Sequence, residues 1–408
     1  MDSGSIAISK FELDHFGNTL DLTEFVPEIH IFESIFDPFI TARMSVEDTA
    51  GLLDRITWAG SKVTITFTTN EKLTPATYVF VVDSAEGATS SSLDKKQSYV
   101  VTMYSPEVIR ALTISVGEMF NKVSPEKMIE TVLRGKLNSN KAFIKDKTGA
   151  LDSINCADLR PFQAIDKIKK RAVSRDKISS SFVFYENQHG YNFRTIEQLL
   201  VDARNDPQIK EGDRNFYLDS MKHLGVENTS WRQILALERT QAQAYTEMLM
   251  NGGAAAEIYA YDINTGEHYK FTYTDRKDSQ SFDIDSKSVT YKRVSIDNIV
   301  KSGDQVVGMV APVTSADDLE RIRKEIYVKA FMSKLISNVV IMQIHGDSRM
   351  TAGTPVKLNL PVVDGTTSKQ TNEIGGGVYL VSKVRHIIIP STPLYTQSCE
   401  LIRTGMLE

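Results

Sequence analysis

Lys62-Val63-Thr64-Ile65-Thr66-Phe67-Thr68 is the stretch that sets the fold class. Val63, Ile65 and Phe67 alternate with one lysine and three threonines. A period of two puts the apolar side chains on one face of an extended chain and the polar ones on the other, the pattern of a half-buried strand. Three of the seven residues are threonine and two more are β-branched aliphatics, which pack well on a pleated surface. The same alternation extends on both sides. Ile6 to Leu13 and Ile29 to Ile35 alternate, Tyr78 to Val82 is a continuous apolar run suited to a core strand, and Gln97 to Tyr104 closes the series. Gly87 to Lys96 is polar and reads as a loop. Short strands at this spacing predict a barrel or sandwich over residues 1–104.

After Tyr104 the period changes. Ser124-Pro125 is a cap residue followed by proline at the first helical position, and Met128, Ile129, Val132 and Leu133 follow on one face. A second helix is predicted from Pro161, with Phe162, Ile165, Ile168, Ala172 and Val173 at helical spacing and Lys167, Lys169, Lys170 and Arg171 on the other side. Ser181 to Tyr185 pairs with Tyr191 to Arg194 across Gln188-His189-Gly190. Residues 105–230 therefore read as an α+β unit that ends in a charged connector, Asp202 to Asn228.

Strands return at Ile234 to Glu238, followed by a short helix over Ala242 to Met250. A hairpin comes next, Glu257 to Tyr261 and His268 to Tyr273, turning at Asn264-Thr265-Gly266. Residues 275–334 are expected to hold a polar excursion, Ser279 to Gly303, and then a helix opened by Ser315, with Asp318 at the capping-box position and Leu319, Ile322, Ile326 and Ala330 as its buried stripe. Val339 to His345, Pro355 to Leu360, Val378 to Ile388 and Gln397 to Arg403 are four further strands. With the hairpin they are expected to form a second barrel from 231–274 and 335–408. The fold class is thus β-rich α+β, with two similar antiparallel barrels around an intervening α+β domain.

The 408 residues exceed what one core serves, and 41% hydrophobic content is enough for several. A net charge of −5 lacks the basic excess of a dedicated nucleic-acid binder. Cys156 and Cys399 are the only cysteines, too few and too far apart for a disulfide framework or a paired-cysteine zinc site, and read as reduced. Met1 to Ser5 has neither the basic region nor the apolar run of a signal peptide, and no stretch approaches the roughly 18 apolar residues of a membrane helix. Export by the usual route and membrane insertion are not expected.

Catalytic, cofactor and metal residues are each read as none. The seven histidines (His15, His30, His189, His223, His268, His345 and His386) include no pair at i, i+4. His345-Gly346-Asp347 is the most metal-like cluster, but it ends a strand where a turn needs small and polar residues. His386 reads as a rim or interface histidine. Asp262, Asp275, Asp283 and Asp285 could supply a glycosidase-like carboxylate pair, but no fixed spacing sets two of them beside a stacking aromatic, so they read as solvated loop carboxylates. Gly375-Gly376-Gly377 precedes a strand rather than a helix, so it is no phosphate loop and reads as a flexible tip. The Lys167 to Arg171 face reads as solvated or protein-docking rather than DNA-binding.

Phe32-Glu33-Ser34-Ile35-Phe36-Asp37-Pro38-Phe39-Ile40-Thr41, followed by Ser45-Val46-Glu47-Asp48, resembles the opening of phage tail hub proteins. Ser105 to Gly117, with the helix at Ser124, looks like that family's passage from first barrel to helical domain. Gly353 to Leu358, Gly377 to His386 and Cys399 to Arg403 look like the closing strands of its second barrel. The family is the baseplate central hub protein of contractile-tailed phages, related in fold to the hub region of type VI secretion spike proteins. The resemblance implies a non-enzymatic homotrimer whose six barrels form a ring. That ring would adapt a sixfold tail tube to a threefold central spike and let DNA pass without specific binding. It also implies contacts with the spike, the tube and baseplate wedge or tape-measure proteins, and a place in the virion tail baseplate after assembly in the host cytoplasm. The rival readings are a tail-tip cell-wall hydrolase and a glycan-binding receptor protein. The second is weakened by there being only two tryptophans, Trp58 and Trp231.

Overall fold

Alternation becomes sheet at both ends of the chain. The computed structural model describes residues 4–69, 74–91, 96–149, 151–175, 181–218, 230–240, 255–262, 264–274, 289–294, 311–313, 316–336, 339–360 and 375–403. The first hundred residues give β1 (Ala7–His15), β2 (Asn18–Asp21), β3 (Glu28–Ser34), β4 (Thr41–Asp48), a single helical turn α1 (Leu52–Arg55), β5 (Lys62–Thr68), β6 (Ala76–Ser91) and β7 (Lys96–Tyr104). In β5 the expected alternation holds. Val63, Ile65 and Phe67 are buried, and the threonines between them are half-exposed. Each such aliphatic side chain, fully buried, contributes roughly 1.5–3 kcal/mol. These side chains join Leu13, Ile29, Ile31, Met44, Phe80 and Val101 in one core. β6 differs from expectation, because it runs on through Gly87 to Ser91 where a loop is predicted. Its far half pairs with β7 through two register shifts.

The middle of the chain gives α2 (Pro106–Thr113), β8 (Met119–Val123), α3 (Pro125–Thr131), β9 (Phe143–Lys145), β10 (Asp152–Asn155), α4 (Pro161–Arg171), β11 (Phe182–Asn187) and β12 (Gly190–Thr195). Proline opens α2, α3 and α4, where the missing N–H costs nothing. The stripes of α3 and α4 meet Phe182, Phe184, Tyr191 and Phe193 in a second core. The β11–β12 hairpin turns at Gly190, whose φ of +125° favours glycine and whose missing Cβ lets the Ala142 backbone approach. The segment expected as a connector is partly structured. Its first residues end α5 (Ile196–Asn205), which is capped by Thr195 Oγ1 accepting from Gln198 N at 3.3 Å, and it supplies α6 (Pro207–Lys210) and β13 (Asn215–Tyr217).

The last part gives β14 (Ile234–Thr240), β15 (Ala255–Asp262), β16 (His268–Thr274), β17 (Val289–Val294), β18 (Ala311–Val313), α7 (Ala316–Ile336), β19 (Val339–His345), β20 (Pro355–Asn359), β21 (Gly377–Ile389) and β22 (Leu394–Ile402). The β15–β16 hairpin forms as read. It hydrogen-bonds with β17 and β18 in a separate four-stranded sheet, not with the closing strands. The segment expected as a surface excursion, Ser279 to Gly303, thus supplies β17 to that sheet, and β18 follows it. The stripe of α7 is buried as predicted, and it packs with Ala260 and Phe271 of the hairpin. The helix expected over Ala242 to Met250 and the cap at Ser315 lie outside the described residues.

The two strand-rich ends hydrogen-bond edge to edge in one 13-stranded sheet. Its path is β14-β19-β22-β21-β3-β4-β7-β6-β5-β1-β2, with β20 and β13 branching from β21. The splice is β21. Its first residues pair with β20 through Leu380, and Lys383 to Ile388 pair with β3 instead. The switch falls where the β21–β22 register shifts between Val381 and Lys383. There Ser382 turns inward and its Oγ donates to Glu400 O at 2.9 Å, as a bulge that redirects a strand requires.

Candidate functional site

One face of the sheet is covered along its length, and the other is uncovered except where Val339, Leu380 and Ile402 pack against α7. The N-terminal core and a core of Val340, Met342, Ile344, Val384, Cys399 and Leu401 lie on the same side. Residues between these point the other way. Across the register, Gln343, Ser398, Arg385, Phe32, Thr41 and Tyr104 form one row, and Thr64 with Val79 continues the face toward β1. This face is hydroxyl-rich and mixed in charge. Lys10 pairs with Glu12 at 2.9 Å, Lys383 with Glu400 at 2.9 Å and Lys96 with Glu47 at 2.7 Å. Arg385 Nε donates to His30 Nδ1 at 2.7 Å, and His30 Nε2 contacts Glu28. Burial pulls the His30 ring below its ordinary range, Glu28 opposes this, and Arg385 adds to it.

On the covered side of the splice lies a buried polar joint. Glu33, at the end of β3, accepts Tyr78 Oη at 2.9 Å and Gln188 N at 3.1 Å on one oxygen, and Ala352 N at 2.9 Å on the other. His386 Nε2 stands 3.7 Å from this carboxylate. The His386 tautomer follows from its neighbours. Gln397 Oε1 accepts from Asp347 N at 2.9 Å, so its Nε2 donates, to Met350 O at 3.1 Å and to His386 Nδ1 at 3.2 Å. Tyr395 Oη also reaches that Nδ1, at 2.6 Å. Nδ1 is an acceptor, and the ring proton sits on Nε2, facing Glu33. Burial first, and then the Glu33 charge, push the Tyr78 hydroxyl well above its ordinary range, so it remains a donor. The same two causes push the Cys399 thiol up to about 12.

A second joint links the α+β unit to the first strands. Lys141 Nζ bridges Glu107 at 2.6 Å and Glu186 at 2.5 Å, and Glu186 accepts Ile40 N at 3.2 Å. Burial raises the Glu186 carboxyl against the pull of Lys141. Burial lowers Lys141, but the two glutamates outweigh it and its net shift is upward.

The residues singled out by sequence are scattered. His345 ends β19 with its Nδ1 facing Gly4, and burial lowers it. Asp347 is committed to Arg349, at 2.7 Å. Among the described residues no group of three or more His, Cys, Asp and Glu could hold a metal ion. Asp262 caps its own turn through Asn264 N at 2.8 Å, while Asp275, Asp283, Asp285 and His223 lie outside the described residues. The basic face of α4 is answered locally: Lys169 and Lys170 pair with Asp166, Arg171 with Asp152, and Lys167 donates to Asn155 O. Gly375 and Gly376 are buried rather than a flexible tip, and their carbonyls accept from Tyr379 Oη at 2.9 Å and Arg403 Nη1 at 2.7 Å. Trp58 is buried, and Trp231 is covered by the guanidiniums of Arg232 and Arg349 at 4.4 and 5.6 Å, so neither offers a bare ring to a sugar. Glu33 appears in the sequence only as one residue of an alternating strand. Its partners lie 45 to 319 residues away, and no local signal marks it.

No protein-family model and no curated protein matches the sequence. Solved structures do. The tail protein from Neisseria meningitidis MC58 superposes with a TM-score of 0.57 at 8% identity, over 98% of this chain and 98% of that one. The 43 kDa tail protein of prophage MuSo2 from Shewanella oneidensis gives 0.53 at 8% identity, over 98% and 99%. The chain has the fold of these phage tail proteins from end to end. The β-rich α+β class and the hub-like fold expected from the resemblance are the ones observed.

Proposed function

We propose that the chain is the central hub of a contractile tail baseplate. Three copies form a ring of six barrel units, two from each chain, with residues 1–104 supplying one and the closing strands the other. The ring joins a sixfold tube to a threefold spike, touches wedge or tape-measure proteins, and sits in the virion tail after assembly in the host cytoplasm. It has no hydrolytic activity of its own.

The observation that carries this reading is the uncovered sheet face. A sheet running from β14 to β2 has two cores on one side, and on the other side α7 covers only the corner at Val339, Leu380 and Ile402, which leaves the rest of that face as a polar wall. As a channel lining, such a wall suits passage of a polyanion. Each Lys or Arg bound to phosphate releases counterions and adds affinity, so a strongly basic lining would hold DNA. Here Lys10, His30, Lys96 and Lys383 are answered by Glu12, Glu28, Glu47 and Glu400. Among the described residues no helix is long and apolar enough to cross a membrane.

The experiment is native mass determination of the purified chain, alone and with candidate spike protein. Three-chain species are expected, held by an obligate interface of roughly 2,000 Å² or more. Monomer alone at micromolar concentration in both samples would overturn the reading. Peptidoglycan clearing by the purified chain, abolished by one acidic substitution, would favour the hydrolase instead.

A further inference from the structure

The segment from Gly346 to Thr354 joins β19 to β20 without regular structure, yet it is buried at Asp347, Ser348, Met350, Thr351, Ala352 and Thr354. Loops run over surfaces because buried backbone must find partners. This one finds them all: each of its nine successive N–H groups has an acceptor. Four are answered within the loop. Three are answered by β21 and β22, through Val381 O, Tyr395 O and Gln397 Oε1. The remaining two cross to the first strands, Ser348 N to Thr69 Oγ1 at 3.4 Å and Ala352 N to Glu33 Oε2 at 2.9 Å. The α+β unit joins at the same place, where Asn187 Nδ2 donates to Ala352 O at 3.0 Å.

Among the described residues, Glu33 is the one side chain bonded to all of these parts. From β3 it holds β6 through Tyr78, the β11–β12 turn through Gln188 and the buried loop through Ala352. We propose that Glu33 is an interlock that fixes the first strands, the α+β unit and the closing strands as one rigid body. The chemistry needs an ionised carboxylate. Two oxygens accept three donors, and the single oxygen of an amide could not, because its NH2 would face a donor instead. The interlock is also separable from folding. Each unit has a core of its own beside the one that Ile35, Tyr185 and Leu380 share, and the three bonds of Glu33 lie at the seams between units or within the joint. This assignment is independent of the oligomeric reading.

The test is hydrogen exchange, read by mass spectrometry, on the full chain and on Glu33→Gln. In the native protein, peptides over 346–354 are expected to be as protected as β5, despite lacking regular structure. Exchange at the rate of an exposed loop would overturn the proposal before any variant is made. In Glu33→Gln, exchange is expected to rise tenfold or more in peptides over 346–354 and 187–191, with 62–68 and 125–131 unchanged. No rise in those two peptides, or an equal rise everywhere, would overturn it. Tyr78→Phe removes one donor without removing the carboxylate, so it keeps the test available if Glu33→Gln does not fold. A smaller rise confined to the same two peptides is expected, and a uniform one would contradict the interlock.

Discussion

Single residues at the seams carry more than their sequence context shows. Asp48 ends β4, and its carboxylate accepts Ala50 N and Leu53 N, each at 2.9 Å. Burial raises this carboxyl, but the backbone N–H groups around it win and hold it below its ordinary range. A carboxylate lowered on folding stabilises fully above its unfolded value of about 3.9, and that stability is lost as pH falls through the folded value. Asp48→Asn is therefore expected to lose about 1–2 kcal/mol at neutral pH. The gap from the parent protein should narrow below about pH 4, as read from urea midpoints at several pH values. Gly346 makes a different demand. A Cβ there would stand inside the Tyr395 ring, which is fully buried between the two strand systems. Gly346→Ala should cost about 2–3 kcal/mol, measured by chemical denaturation. Neither residue is marked locally. Asp48 enters the sequence reading only within Ser45-Val46-Glu47-Asp48, and Gly346 only as a turn residue.

Elements were legible where one face is buried and the other solvated. β5, β19 and the closing pair β21–β22 follow their alternation, because a one-residue slip would turn every buried side chain outward. Legibility failed where the stabilising partner is remote. The far half of β6 is polar and glycine-containing, and it is a strand only because β7 pairs with it. β13 is three residues long and exists by parallel pairing with β20, some 140 residues on. The splice at β21 was equally hidden, since its sequence is uniform while its partners change. Arg385 lies between Ser398 on β22 and Phe32 on β3. Arg385→Pro removes a ladder donor from the interior of the sheet and should cost about 3 kcal/mol or more, separating the two strand systems before either core melts. Two calorimetric transitions in place of one would record that. The α4 helix supports a negative expectation. Its lysines are spent on Asp166 and Asn155, so Lys167→Ala with Lys170→Ala should leave retention of duplex DNA unchanged in a filter-binding assay.

At the scale of the molecule, two strand systems from opposite ends of the chain make one surface, and buried joints at Glu33 and Lys141 hold the α+β unit to it. A rigid body of this kind suits a part that must keep its shape while a genome moves past it. The hub reading turns on which way the uncovered face points. Electron cryomicroscopy of the purified, assembled chain tests this most directly. The account predicts a threefold ring whose lumen wall carries Thr64, Thr41 and Arg385, with Glu33 behind it. A ring with that face turned outward, or particles of one chain only, would contradict it.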